Sequence, residues 1–202
     1  MGLWLYDAPL VLASGSAIRR AMLEAAGIPV EAIPAELDER ALEARSGSSE
    51  PTGVAALLAR EKAQKVAAKF PGRAVLGADQ ILALEGRRFS KPRDRAGARA
   101  QLQALAGRTH ELHCAAALVR DDGVLFEAAD CARLTMRAFS APFLESYLDL
   151  AGSAVTASVG GYQVEGPGIQ LFEHIAGDHF GILGLPLLPL LGFFRREGWL
   201  AA

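Results

Sequence analysis

The chain has 202 residues, 51% of them hydrophobic and 22% charged, with a formal net charge of −2. A near-neutral chain without a long basic run offers no general electrostatic grip on nucleic acid, and its apolar content is enough for a substantial core. The length suits a single domain over residues 1–202, or two lobes about a cleft, and the single domain is the expectation. Cys114 and Cys131 lie in apolar, strand-like contexts, which predicts buried thiols in a reducing compartment and not a disulfide framework. No stretch at the N-terminus combines a basic flank, an apolar core and a small-residue cleavage site, so a cytoplasmic location is expected. Phe180 to Phe194 is the most apolar stretch, but Pro186 and Pro189 interrupt it and it falls short of the about 20 residues of a spanning helix, so no membrane partner is expected.

In chain order, Leu10 to Ala13 reads as a short buried strand, Ser14-Gly15-Ser16 breaks it, and Ala17 to Ala26 reads as a helix ended by Gly27. This strand, loop and helix N-terminus has two readings. Free N–H groups, the helix dipole and the side chains of Ser14, Ser16, Arg19 and Arg20 suit a phosphate; alternatively, a serine cap stands beside solvated arginines. Ile28 to Ile33 is a second strand, and it runs into Glu36, Asp38 and Glu39. Such a cluster is either a solvated loop or a place where one or two carboxylates and substrate phosphates hold a hard cation. Ser46 to Pro51 reads as a flexible surface link. Val54 to Lys69 has apolar residues at helical spacing, with Lys62 among the polar ones.

Residues 74–92 put Asp79 inside an apolar run. An ionised carboxylate beside Val75, Leu76, Ile81 and Leu82 is costly unless it is paired, hydrogen-bonded or bound to a cation. Asp79 is therefore either part of a turn or a catalytic or metal-holding group. Glu85-Gly86-Arg87 predicts a hairpin turn that brings the chain back to Ser90-Lys91-Pro92. Arg93 to Ala106 is a further helix, stopped by Gly107, and Thr109 to Val119 a strand. His110 and His113 resemble a metal pair, but residues three apart on a strand face opposite sides, so both are read as structural. After Asp121-Asp122-Gly123, two strand segments are expected across Val124 to Phe139, then a helix over Pro142 to Leu150. The glycines between Gly160 and Gly168 allow close backbone approach to a ligand or an ordinary turn, and they match neither a dinucleotide fingerprint nor a Walker loop. Gly177-Asp178 reads as a turn, Phe180 to Leu183 as a strand and Pro186 to Glu197 as the closing helix.

Taken in order, these pieces resemble the Maf family of nucleoside triphosphate pyrophosphatases. The carriers are Leu12-Ala13-Ser14-Gly15-Ser16 with Arg19-Arg20, Asp38-Glu39, Glu61-Lys62-Ala63, Gly77-Ala78-Asp79, Lys91-Pro92, Gly107-Arg108-Thr109-His110, Gly166-Pro167-Gly168, and Gly177-Asp178 leading to Gly184-Leu185-Pro186. The resemblance implies a mixed α/β fold related to the inosine triphosphate pyrophosphatases, with an elongated β-sheet flanked by helices and two lobes around a substrate cleft, commonly in a homodimer. It implies hydrolysis between the α- and β-phosphates of a nucleoside triphosphate with a divalent cation (Mg²⁺, Mn²⁺ or Co²⁺). By the same resemblance Asp79 is the catalytic carboxylate, and Ser14, Ser16, Arg19, Lys62 and Lys91 bind phosphate. Asp38, Glu39 and Asp79 hold the metal, and Ile18, Gln80 and Glu165 select the base.

Where many members carry Pro-Arg, this chain has Ala17-Ile18, and where they carry Asp-Thr and Gln-Gly it has Asp79-Gln80 and Glu165-Gly166. The latter pairs resemble the branch acting on 7-methyl-GTP, and a carboxylate can accept from a guanine edge. Ile18 departs from the aromatic residue usual there, which would stack on a cationic base. The branch acting on dTTP and UTP, and a nucleotide-binding regulator of septum formation without catalysis, are the alternatives.

Overall fold

The computed structural model describes residues 2–47 and 50–201, with the side chains of residues 40 and 44–46 excepted. The chain forms β1 (Leu10–Leu12), α1 (Ala17–Ala25), β2 (Val30–Ala32), α2 (Glu39–Ser46), α3 (Pro51–Ala67), β3 (Ala74–Leu84), β4 (Arg87–Phe89), α4 (Arg95–Leu105), β5 (Thr109–Arg120), β6 (Gly123–Met136), α5 (Ala141–Ala151), β7 (Phe172–Ala176), α6 (His179–Ile182) and α7 (Leu187–Arg196). The seven strands form one mixed sheet in the order β2-β1-β3-β5-β6-β7, with β4 on β3. β1 runs parallel to β2 and β3, whereas β4 and β7 are antiparallel to β3 and β6. The mixed α/β class expected from the sequence is the one observed.

The chain divides into two compact units. One comprises Met1–Gln80, Cys114–Asp130 and Asp178–Ala202; the other comprises Ile81–His113 and Cys131–Gly177. In the first, Leu10, Leu12, Leu76 and Ala78 pack with Leu23 of α1 and with Leu190, Phe193 and Phe194 of α7. Val11 and Val75 point to the other face and pack with Ala63, Val66 and Ala67 of α3. Cover on both faces explains why β3 reads as a nearly continuous apolar run and not as an alternation. In the second unit, the Glu85-Gly86 turn has φ of 51° and 79° and pairs Leu84 with Arg87, which is the predicted hairpin.

Several expectations are corrected. Only Asp38 lies in the loop after β2, at its last residue, where its carboxylate accepts the Ala41 N–H and caps α2; Glu39 is the first residue of that helix. Ser46 ends that helix and Pro51 opens α3, so the expected link shrinks to residues 47–50, of which 48 and 49 lie outside the described residues. Val124 to Phe139 contains one strand and not two, because β6 runs as a single strand from Gly123 to Met136, its one register shift against β7 falling at its end between Thr135 and Met136. The Phe180 to Leu183 strand is helical instead. Asp178 accepts the Gly181 N–H and caps α6, so the cap outweighs the β-propensity of Phe180 and Ile182. Cys114 is buried as expected, but Cys131 is exposed, and neither is in a disulfide. Among the described residues no helix is long and apolar enough to cross a membrane.

His110 and His113 do face different surroundings. His110 is fully buried, donates to or accepts from the Tyr162 hydroxyl at 2.6 Å, and packs against Phe172. Burial lowers its imidazole from 6.5 to about 4. The unfolded chain therefore takes up this proton near pH 6.5 while the fold refuses it, so the stability from His110 is complete above pH 6.5 and is lost as pH falls towards 4. At 1.36 kcal/mol per unit the loss approaches about 3 kcal/mol. Urea midpoints measured between pH 7 and pH 4.5 are expected to fall further in the wild type than in His110→Phe, which carries only a pH-independent offset from its unpaired Tyr162 hydroxyl.

Candidate active site

Alternation along β3 decides what the site is made of. Leu76, Ala78 and Gln80 turn to one face; Val75, Gly77 and Asp79 turn to the face covered by α3. Gly77 lets that helix come close, since a Cβ there would stand 2.0 Å from the Ala59 carbonyl oxygen and 2.8 Å from the Ala63 nitrogen. No side chain larger than hydrogen fits without moving α3. One turn along the helix, Lys62 donates to the Asp79 carboxylate at 2.5 Å. The same ammonium lies 2.8 Å from Glu39 at the first turn of α2, so carboxylates from β3 and α2 converge on one cation.

Asp79 and Lys62 are both largely withdrawn from water, with side chains 9% and 12% exposed. Burial pushes the Asp79 carboxyl up; the Lys62 ammonium and, more weakly, Arg19 oppose this, and Glu39 adds to it. Proton affinity at Asp79 is thus set by competition between a dry surrounding and a single close ammonium.

The loop after β1 supplies the next layer. Ser16 caps α1 by accepting the Arg19 N–H, and its own N–H donates to the buried Ser14 hydroxyl oxygen at 3.2 Å. The Arg19 guanidinium donates to Ser14 Oγ at 3.1 Å, to the Ala78 carbonyl at 2.9 Å and to the Gly184 carbonyl at 2.7 Å. Arg19 therefore ties the loop to β3 at the residue before Asp79 and to the segment before α7. The other expected phosphate ligand of the first unit, Lys62, stands at the carboxylates.

The remaining predicted residues are placed as follows. Asp38 is exposed and caps α2, while Glu39 beside it reaches Lys62. Among the described residues these two do not join Asp79 in one three-carboxylate cluster. Ile18 is half-buried on α1. Gln80 belongs to the face opposite Asp79, where its NH₂ donates to the carbonyls of Gly181 and Ile182 at 3.1 and 2.9 Å. Lys91 and Glu165 are exposed residues of the second unit. Sequence reasoning missed the roles of Gly77 and of the Ala78 and Gly184 carbonyls. Gly77 carried a signal, a glycine two residues before a carboxylate within a strand; backbone carbonyls carry none.

A family model described as Maf-like protein matches residues 9–197. The chain belongs to the Maf family. A Rhodopseudomonas palustris (strain HaA2) protein named nucleoside triphosphate pyrophosphatase is 59% identical to this Maf chain over 201 residues, covering 100% of both. A Mesorhizobium japonicum protein named 7-methyl-GTP pyrophosphatase is 52% identical over 191 residues, 94% of this chain and 96% of its own. Among solved structures, a HAM1 protein from Coxiella burnetii covers 63% of this chain and 72% of its own at 18% identity and a TM-score of 0.40, a likeness that carries no argument.

Within this Maf chain the charge balance at Asp79 is open to measurement. Lys62→Met removes the main influence holding the Asp79 proton affinity down, and its carboxyl titration, followed by ¹³C NMR, is expected to move to higher pH. Glu39→Gln removes a like charge and is expected to move it the other way.

Proposed function

We propose that this protein is a nucleoside triphosphate pyrophosphatase that cleaves the α–β phosphate bond of a modified guanine nucleotide such as 7-methyl-GTP, releasing a nucleoside monophosphate and pyrophosphate. The observation that carries the reading is the buried Asp79 carboxylate on β3, paired with Lys62 at 2.5 Å, with Glu39 on the same ammonium at 2.8 Å. A binding module has no use for a carboxylate whose proton affinity burial raises, whereas a general base does. The names of the relatives from Rhodopseudomonas palustris and Mesorhizobium japonicum support the reaction class, and the second alone supports the methylated base.

The donor set suits a hard divalent cation. Asp79 and Glu39 supply carboxylate oxygens from two elements, and Mg²⁺ needs only one or two such groups beside substrate oxygens. Asp38, whose Oδ1 is occupied by the Ala41 N–H, is the weaker ligand. Mg²⁺, Mn²⁺ or Co²⁺ held there would draw off negative charge from the triphosphate. Asp79 orients the attacking water and takes its proton. Lys62 neutralises charge on the leaving pyrophosphate, and the Ser14 to Arg19 loop offers hydroxyl and N–H donors to the phosphate oxygens. Lys91 adds a further cation to that set. Glu165 accepts from the N1–H and N2–H₂ of guanine. Gln80, whose donors hold the carbonyls of α6, acts on the base by fixing that segment. Ile18 offers no ring to stack, so the base is recognised by its edge and not by its cationic face. The family resemblance extends the proposal to a cytoplasmic homodimer.

Asp79→Asn is expected to lose pyrophosphate release by at least about a hundredfold while nucleotide binding stays measurable, as removal of a general base predicts. Turnover retained in that variant would sink the assignment. Glu165→Gln is expected to lower kcat/KM for guanine nucleotides more than for dTTP or UTP, and an equal loss on both classes removes Glu165 from base recognition.

A further inference from the structure

We propose that Glu111, His113 and Cys131 form a second metal site, selective for a borderline-soft divalent cation of the Zn²⁺ class. It shares no residue with the Asp79, Lys62 and Glu39 cluster, and all three residues belong to the second compact unit. Glu111 and His113 are two apart on β5 and so project from one face of that strand; Cys131 is on the adjoining strand β6.

Side-chain contacts step along this face in order. Thr109 meets Thr135 at 2.9 Å, Glu111 meets Arg133 at 3.2 Å, and His113 Nε2 lies 4.0 Å from Cys131 Sγ. One ligand atom from each of Glu111, His113 and Cys131 lies within 4.8 Å of the other two. His113 Nε2 is 3.2 Å from Glu111 Oε2, while Arg133 Nε holds the other oxygen of that carboxylate at 3.2 Å. The carboxylate is thereby oriented with one oxygen towards the imidazole, the kind of outer contact that positions metal ligands.

Tetrahedral zinc, with bonds of about 2.1 Å to nitrogen or oxygen and about 2.3 Å to sulfur, places its ligand atoms roughly 3.3 to 3.7 Å apart. The observed 3.2 and 4.0 Å need only a few tenths of an ångström of adjustment, and the Glu111 to Cys131 pair, within 4.8 Å, closes by up to about 1 Å. A thiolate, an imidazole and a carboxylate together favour Zn²⁺ over Mg²⁺, because sulfur and nitrogen are poor ligands for the harder ion. Three protein ligands leave a fourth position for water or a further ligand. Cys131 is exposed, so the ion has access, and on binding the thiol gives its proton to solvent. Cys114 takes no part: it is buried, and burial pushes its thiol up to about 12. The bound ion would cross-link β5 to β6.

This inference is independent of the pyrophosphatase reading. Co²⁺ titrated into the purified full chain, under a reductant that does not bind metal, reports thiolate ligation by its sulfur-to-metal charge-transfer absorption, and Zn²⁺ then displaces it. The expected result is a saturable sulfur-to-metal band, to which cobalt at the Asp79 and Glu39 carboxylates contributes nothing, and its abolition in Cys131→Ser. Since removal of an outer contact alone costs about 10- to 100-fold, affinity in His113→Gln and Glu111→Gln is expected to fall at least about tenfold. The band persists in Cys114→Ser and Asp79→Asn. Circular dichroism checks the fold of each variant, and the conservative surface change Glu111→Gln keeps the test open should His113→Gln fold poorly. Absence of the band from the wild type, its survival in Cys131→Ser, or unchanged affinity in both His113→Gln and Glu111→Gln overturns the site.

Discussion

The contact between Lys62 and Asp79 is what the first unit is arranged to hold. A carboxylate and an ammonium taken out of water each lose several kcal/mol of hydration, and the mutual attraction recovers this only at close range and with further partners. The range comes from Gly77, because the absence of a Cβ lets α3 lie against β3 with Lys62 at the height of Asp79. The further partner is Glu39, delivered by a helix whose first residue is set by the Asp38 cap. Three local features, a glycine, a cap and a lysine at the right turn, thus converge on one charge.

Around this pair the chain spends its strong donors on holding backbone. Arg19 ties the Ser14 hydroxyl, the Ala78 carbonyl and the Gly184 carbonyl together. Gln80 does the same with Gly181 and Ile182 on the opposite face of β3. A guanidinium with five N–H donors in a rigid fork suits this task, since one side chain satisfies several buried acceptors at once. The residues on either side of Asp79 in β3 are therefore tied in place, Ala78 through its carbonyl and Gln80 through its amide. Preorganisation of that kind is what electrostatic catalysis requires, because the groups need not rearrange as charge develops.

The second unit is organised by different chemistry. His110, Tyr162 and Phe172 make a buried aromatic cluster in which the imidazole stays neutral. On the other side of β5, Glu111 and His113 face polar partners on β6. A shift of one residue in strand phase separates a structural histidine from one beside a thiol and a carboxylate. The sequence rule that sends residues three apart to opposite faces accounts for both.

Much of this was legible in the residues themselves. The apolar run around Asp79, the Glu85-Gly86 turn, the helical spacing across α3 and the ordered motifs follow from local pattern, which needs no knowledge of the rest of the chain. The errors were local as well: Phe180 to Leu183 has strand propensity, and only the Asp178 cap makes it helical, while Cys131 looks buried until the exposed face of β6 is known. By itself the sequence determined that a carboxylate sits in an apolar strand and must be compensated. The tertiary structure decided by what, since Lys62 lies 17 residues away and meets Asp79 only through packing of α3 on β3. Desolvation is written in composition, but the partner that offsets it is chosen by distance in space.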